Sequence, residues 1–307
     1  MSEVREPAAP ANTATGAVAP RTIEAIAAMV VATFVFTLGD VAMRLAAGAV
    51  PTGQSVFLRS TTSVVLVAIA AHATGVLCTL QRGLVPWMAW RSVGDAGNSL
   101  LFQAALPRMM FADIMAVLQL TPLSLTAASA LFLGATVGWR RWCAVGAGLI
   151  GTLMVIKPGS GTFNVWALLA IGSVLCGTLR DVATRRIDGG LSPLIILLLS
   201  QTLVALAGLG LSLFQTWVWP TPFELLLVMV AGAMTLLGHL AMIVSLRIGD
   251  IAAVAPFRYA GIVWAILIGI LVWGEIPDAW SLTGIAILIL AGLYTFHRER
   301  RVRAGPR

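Results

Sequence analysis

Ten apolar stretches divide this chain, separated by short polar or turn-forming breaks. The first five run Ala25–Arg44, Gln54–Leu77, Met88–Pro107, Ala112–Val137 and Trp142–Ile156. The second five run Asn164–Thr184, Leu191–Phe214, Phe223–Ser245, Ile251–Trp273 and Ala279–Phe296. A helix needs about 20 predominantly apolar residues to cross a bilayer, so each run predicts a spanning helix. The breaks carry turn chemistry: Gly48–Pro51, Pro158–Gly161, Gly189-Gly190 and Trp219–Pro222. Asp95, Asn98, Gln103 and Pro107 interrupt the third run. The fifth is short and needs little tilt or a thinned membrane.

Composition agrees with the pattern. Of 307 residues, 59% are hydrophobic and 11% are charged, and the mean hydropathy is +0.93. A soluble domain is about 25% charged, and one with so few charges could not cover its own surface. This excludes a cytoplasmic enzyme, a nucleic-acid module and a disordered regulator. The expected fold is an all-α membrane protein with ten transmembrane helices. Residues 1–22, rich in Ala, Pro and Thr, are expected to be a disordered cytoplasmic tail. A cleaved signal peptide is disfavoured by Glu3, Glu6 and Glu24 ahead of the first apolar run.

The net charge of +7 is distributed as an orientation signal rather than a nucleic-acid footprint. With a cytoplasmic N-terminus, inner loops and tails hold most of the arginines. These include Arg82, Arg91, Arg140, Arg141, Arg185, Arg186, Arg247 and the cluster from Arg298 to Arg307. Outer loops and span ends hold only Arg44, Arg59, Arg108 and Lys157. Both termini are therefore expected inside. Cys78, Cys143 and Cys176 are scattered, without CxxC or a histidine cluster, so neither a disulfide framework nor a metal site is expected. Nothing calls for a cofactor.

The two halves resemble each other. Asp40–Arg44 matches Asp181–Arg185, and Asp113–Val117 matches Asp250–Val254. Pro51 with Arg59 eight later matches Pro193 with Gln201 eight later. The unit is five spans, an odd number, so the second copy enters the membrane from the other side. This divides the chain into residues 23–157, residues 164–297 and a basic cytoplasmic tail, 298–307. Inverted repeats build secondary transporters, in which one central site is exposed to each face in turn.

Four stretches carry a likeness to a known family. They are Leu101–Leu106 running to Pro122; Gly146–Gly151 with Lys157-Pro158-Gly159; Ala255–Tyr259; and Gly274–Asp278 followed by Gly284 and Gly292. Over about residues 23–297 the chain resembles the EamA-type members of the drug/metabolite transporter superfamily. The resemblance implies ten helices and a small organic substrate. Amino-acid derivatives, nucleoside-like metabolites such as S-adenosylmethionine, and vitamins such as riboflavin are examples. One departure stands out: the family usually has a glutamate ending span four, as Glu275 ends span nine, and Leu133-Gly134-Ala135 lacks it.

Gly146, Gly148 and Gly151 spell GxGxxG, but inside an apolar span they predict close helix packing rather than a dinucleotide fold. No HExxH, GxSxG or Walker loop is present, which disfavours an intramembrane hydrolase or an ATP-driven pump.

Polar residues within spans are costly and therefore informative. Arg258 lies seven residues into its run, roughly 10 Å deep at 1.5 Å per residue. Gln119 matches it in depth, Asn98 and Gln103 sit mid-span, and His239 lies in the middle of span eight. These five are candidates for a substrate site, with Tyr259 as a stacking surface; the alternative for each is a satisfied position in the bundle core. Asp40 with Arg44, and Asp181 with Arg185, are spaced for i,i+4 ion pairs. Asp40, Arg44, Arg180, Asp181 and Glu275 are candidates for gating or coupling, with Asp40, Asp181 and His239 the titratable groups that a proton would use. The expected function is alternating-access transport in a bacterial inner membrane, with the bilayer and a small molecule as partners. A membrane scaffold or a lipid-modifying enzyme is the alternative.

Overall fold

A computed structural model describes residues 20–83, 85–132, 138–158, 164–184, 186–187, 190–248 and 254–303. The tail expectation for 1–22 falls almost wholly outside them. Among the described residues, eleven α-helices lie at the ten expected positions. They are α1 (Pro20–Ala46), α2 (Thr52–Ala73), α3 (Pro86–Ala105), α4 (Phe111–Leu118), α5 (Thr121–Phe132), α6 (Trp139–Ile156), α7 (Ala167–Thr184), α8 (Pro193–Ser212), α9 (Pro222–Ile248), α10 (Ala260–Trp273) and α11 (Ala279–Arg303). Seven described helical stretches are long and apolar enough to cross a membrane, and Trp142–Ile156 and Ala279–Thr295 are shorter apolar helices. The chain is an all-α, multi-pass membrane protein.

Local chemistry sets the ends. Pro86 and Pro193 open α3 and α8, where a missing N–H costs nothing and φ is already helical. Gly274 ends α10 in the left-handed conformation, at φ 65°. Its N–H bonds to the Ile270 carbonyl, and the Glu275 N–H bonds to that of Gly269. This closure satisfies two orphan carbonyls and sets Glu275 immediately beyond the helix.

Two spans differ from the continuous helices expected. The fourth breaks at Gln119-Leu120, between α4 and α5. Among the described residues of the ninth, a 3₁₀ segment, Ala255–Tyr259, precedes α10. Prolines explain both, since Pro122 and Pro256 each lack the N–H that a continuous helix would use.

The helices pair across the halves. α1 packs on α9 and α3 on α7; α2 packs on α9 and α3 on α8. α1 also touches the 3₁₀ segment and α10, while α7 touches α4 and α5. Exchanging each span with the one five later converts the members of each of these three sets into one another. The same exchange leaves α2–α8, α6–α11 and α4–α10 unchanged. Small residues bring the self-paired helices close. A Cβ on Gly208 would meet the Phe57 backbone at 2.7 Å, and one on Gly151 would meet the Gly284 carbonyl at 2.7 Å. Gly151 thus serves helix packing, as its place in an apolar span implied.

Candidate functional site

A cavity of about 450 Å³ lies at the centre of the bundle. Both broken spans open onto it. Gln119, Thr121 and Pro122 reach it from the α4–α5 break, and Arg258 and Tyr259 from the 3₁₀ segment. A helix broken in this way leaves backbone groups free for a ligand, which membrane proteins tolerate only where the break lines a cavity.

Most of the residues singled out from the sequence meet here. Asn98, Gln119, His239, Arg258 and Tyr259 line the cavity, as do Asp40, Arg180 and Asp181. Gln103 does not. It is 2% exposed and packed among helices, and neither side-chain amide atom has a hydrogen-bond partner. Arg258 is exposed although it lines the cavity. Tyr259 is buried against α11. A Cβ on Gly292 would fall 1.5 Å from its hydroxyl, so only glycine admits the ring there. His239 contacts the carbonyl of Thr235 through Nδ1 at 2.7 Å and meets Phe36 edge-on, ring centroids 5.0 Å apart.

The charges fall into three groups. Arg180 bonds Asp181 through Nε at 2.9 Å and Asp95 through Nη1 at 3.2 Å. Arg91, which bonds Ser200, also acts electrostatically on Asp95 and Asp181. That group is internally balanced. The expected Asp181–Arg185 pair lies partly outside the described residues, because Arg185 is not among them.

The second group is at the far end, where α1 finishes. Arg44 does not pair with Asp40 as its spacing suggested. Its guanidinium bonds both carboxylate oxygens of Glu275, with Nη1 to Oε2 at 2.9 Å, and donates to the Met109 carbonyl at 3.0 Å. The Phe111 N–H donates to the same carboxylate at 2.7 Å, and the guanidinium stacks 4.3 Å from the Trp273 ring centroid. An i,i+4 pair on a helix is worth about 0.2–0.5 kcal/mol. A bidentate, half-buried carboxylate with a cation–π face outweighs it. Met43, Ala46, Leu106 and Phe111 are buried around this cluster, so the far end is packed shut. Nearby, Lys157 bonds Asp278, which also accepts the Ser281 N–H at 2.8 Å at the start of α11. The Lys157 hydrogen bond, helped by that of Ser281, holds the Asp278 carboxyl below its usual value.

The third group is Asp40 and Arg59. Arg59 was expected at a span end; it lies eight residues into α2 and lines the cavity. It donates to Ser99 at 3.2 Å, and its Nε has no partner. Asp40 lines the same cavity, and no ion pair joins it to Arg59. Gln201, also on the cavity wall, leaves its Oε1 unpartnered. The sequence carried a signal for these two residues, since each follows a helix-opening proline by eight positions.

No known protein-family profile matches the chain. Curated relatives do. The chain is 26% identical over 263 residues to the pseudopaline exporter of Pseudomonas aeruginosa, covering 85% of this chain and 92% of that protein. It is 27% identical over 219 residues to the S-adenosylmethionine uptake transporter of Rickettsia prowazekii, covering 71% and 69%. It is 29% identical over 177 residues to the riboflavin transporter of Vibrio cholerae, covering 57% and 59%. These relatives are drug/metabolite-transporter-type proteins, and the chain is similar to them over most of its length. A solved crystal structure shares its fold, with a TM-score of 0.64 and 22% identity over 90% of this chain and 97% of that one. For a transporter, the central cavity with its two broken helices is where a substrate site belongs.

Proposed function

We propose that this protein is a secondary transporter of a bacterial inner membrane, moving a small organic metabolite by alternating access. One observation carries this reading: a polar cavity at the centre of an apolar bundle, where two matched spans break. Residues 23–157 and 164–297 are the two repeats, related by inversion. The helix pairing supports it, because exchanging the halves preserves the pattern of packing. The arginine distribution favours cytoplasmic termini.

In this reading the far end is periplasmic and closed, with Arg44 and Glu275 as its gate. The cavity opens towards the cytoplasm beside Arg258, which first meets an anionic group of the substrate. Gln119, Asn98 and His239 orient the ligand, Tyr259 presents a ring face, and Arg180 with Asp181 forms the inner gate. Asp40, with no ion-pair partner, is the group best placed to couple a proton. The relatives are named for pseudopaline, S-adenosylmethionine and riboflavin, which supports a polar metabolite of that size as the substrate. An enzyme or a scaffold is the weaker reading, since neither needs uncompensated charges around a central cavity. Purified protein in proteoliposomes should take up or release labelled S-adenosylmethionine or riboflavin with saturation. Fluxes equal to those of empty liposomes for every metabolite offered would refute transport.

A further inference from the structure

The cavity charges point to a more specific ligand. Three acidic and three basic side chains line it: Asp40, Asp95 and Asp181 against Arg59, Arg180 and Arg258. Arg180 is occupied by Asp95 and Asp181, and Arg258 is exposed. Asp40 and Arg59 remain, opposite in sign, lining the same cavity and not joined in an ion pair. Arg59 makes a single hydrogen bond, to Ser99, and keeps its buried Nε unpartnered. Gln201 Oε1, another buried acceptor on the same wall, is also unpartnered. Unpaired buried groups of this kind cost free energy unless a ligand completes them.

A purely anionic ligand would satisfy Arg59 and leave Asp40 without a partner. A purely cationic one would do the reverse. A zwitterion such as an α-amino acid, whose ammonium nitrogen lies two bonds from the carboxylate carbon, offers a partner to each. We propose that Asp40 and Arg59 form a head-group clamp for an α-amino acid moiety. The Arg59 guanidinium receives the carboxylate in its planar fork, and Asp40 accepts the α-ammonium with Gln201 Oε1 as second acceptor. This rests on the transporter reading and narrows it. Amino-acid-headed metabolites are substrates, and a flavin, which lacks the zwitterionic head, is not. The remaining volume accommodates a sizeable side group beside Tyr259.

The test is binding to the purified full-length protein in lipid nanodiscs, by competition against labelled S-adenosylmethionine. The competitors are methionine, methionine methyl ester, N-acetylmethionine and riboflavin. Methionine competes; the ester and the N-acetyl compound are each at least about 10-fold weaker, because each loses one charge-assisted contact. Riboflavin does not compete. In Arg59→Gln the acid-to-ester ratio falls to near one, and in Asp40→Asn the amine-to-amide ratio does. Arg59→Lys keeps a reduced preference for the acid. Ratios are compared within one protein, so partial loss of folded material cancels. Equal affinity for acid and ester in the unaltered protein overturns the clamp, as does a ratio that survives Arg59→Gln or a failure of both zwitterions to bind. Saturable riboflavin flux indifferent to both substitutions would overturn the clamp and leave transport standing. Absence of any flux in proteoliposomes would strike the transporter reading instead.

Discussion

Substituting Glu275 with glutamine should release the closed far end. Glu275 accepts two hydrogen bonds from Arg44 and one from the Phe111 N–H, and so ties α1, α4 and the end of α10 together. Glutamine keeps an acceptor for Phe111 but removes the charge. A hydrogen bond to a charged group contributes about 1.5–3 kcal/mol and a neutral one about 0.5–1.5. One bond to Arg44 loses roughly 1–1.5 kcal/mol by that difference, and the other is lost whole, at about 1.5–3 kcal/mol, because the amide NH2 that replaces an oxygen cannot accept. The side chains of the pair are 9% and 19% exposed, so solvent recovers little of the loss. The closed arrangement should therefore weaken by about 2.5–4.5 kcal/mol, a shift of roughly 70- to 2,000-fold in the equilibrium between closed and open. Met109, 6% exposed beside the gate, reports on it. A cysteine at position 109, in a background without Cys78, Cys143 and Cys176, should label slowly with a membrane-impermeant maleimide applied to whole cells. Adding Glu275→Gln should raise that rate by an order of magnitude or more, and Arg44→Gln should do the same. An unchanged rate in a folded, membrane-inserted variant would mean that Arg44 and Glu275 hold a static structure rather than a gate.

Three further outcomes are expected. Arg258→Ala should abolish transport while leaving expression and membrane insertion intact, as an exposed cavity cation supports binding rather than packing; normal flux would remove Arg258 from the site. Gly292→Ala should cost about 1–3 kcal/mol by forcing Tyr259 off α11, seen as a lowered melting temperature and weaker ligand binding. Unchanged melting and binding would show that the ring has another place to go. Asp278 has an ordinary value of 3.8 and a lower one when folded, so its contribution to stability is present above pH 3.8 and disappears as pH falls through the folded value. Asp278→Asn should accordingly lower the melting temperature slightly at pH 7 and converge with the unaltered protein in strong acid; a gap that widens on acidification would contradict the assigned Lys157 contact.

The apolar runs located helices at the ten expected positions, seven of them in stretches long and apolar enough to cross a membrane, because a bilayer penalises every exposed backbone group and leaves helices as the solution for a chain of this composition. Their polar interruptions also marked the cavity: Asn98, Gln119, His239 and Arg258 stand out because charge and amides are expensive within a span. Arg59 escaped notice for a different reason. Its span begins at Thr52, two residues before the apolar run suggested, so an arginine read as interfacial is in fact on the cavity wall.

Partner choice is where linear spacing misled. Asp40 and Arg44 are one turn apart and opposite in charge, which along the chain looks like a pair. Arg44 instead reaches Glu275, 231 positions away, because folding brings a bidentate carboxylate, the Met109 carbonyl and the Trp273 face to the same guanidinium. That exchange leaves Asp40 on the cavity wall, in the same cavity as Arg59. Helix identity, span count and the depth of each polar group follow from short-range periodicity and the solvent that the chain must satisfy, and these are local properties of the sequence. Which charges neutralise each other, and which stay open for a ligand, depends on competition among groups hundreds of residues apart, and only the packed bundle decides it.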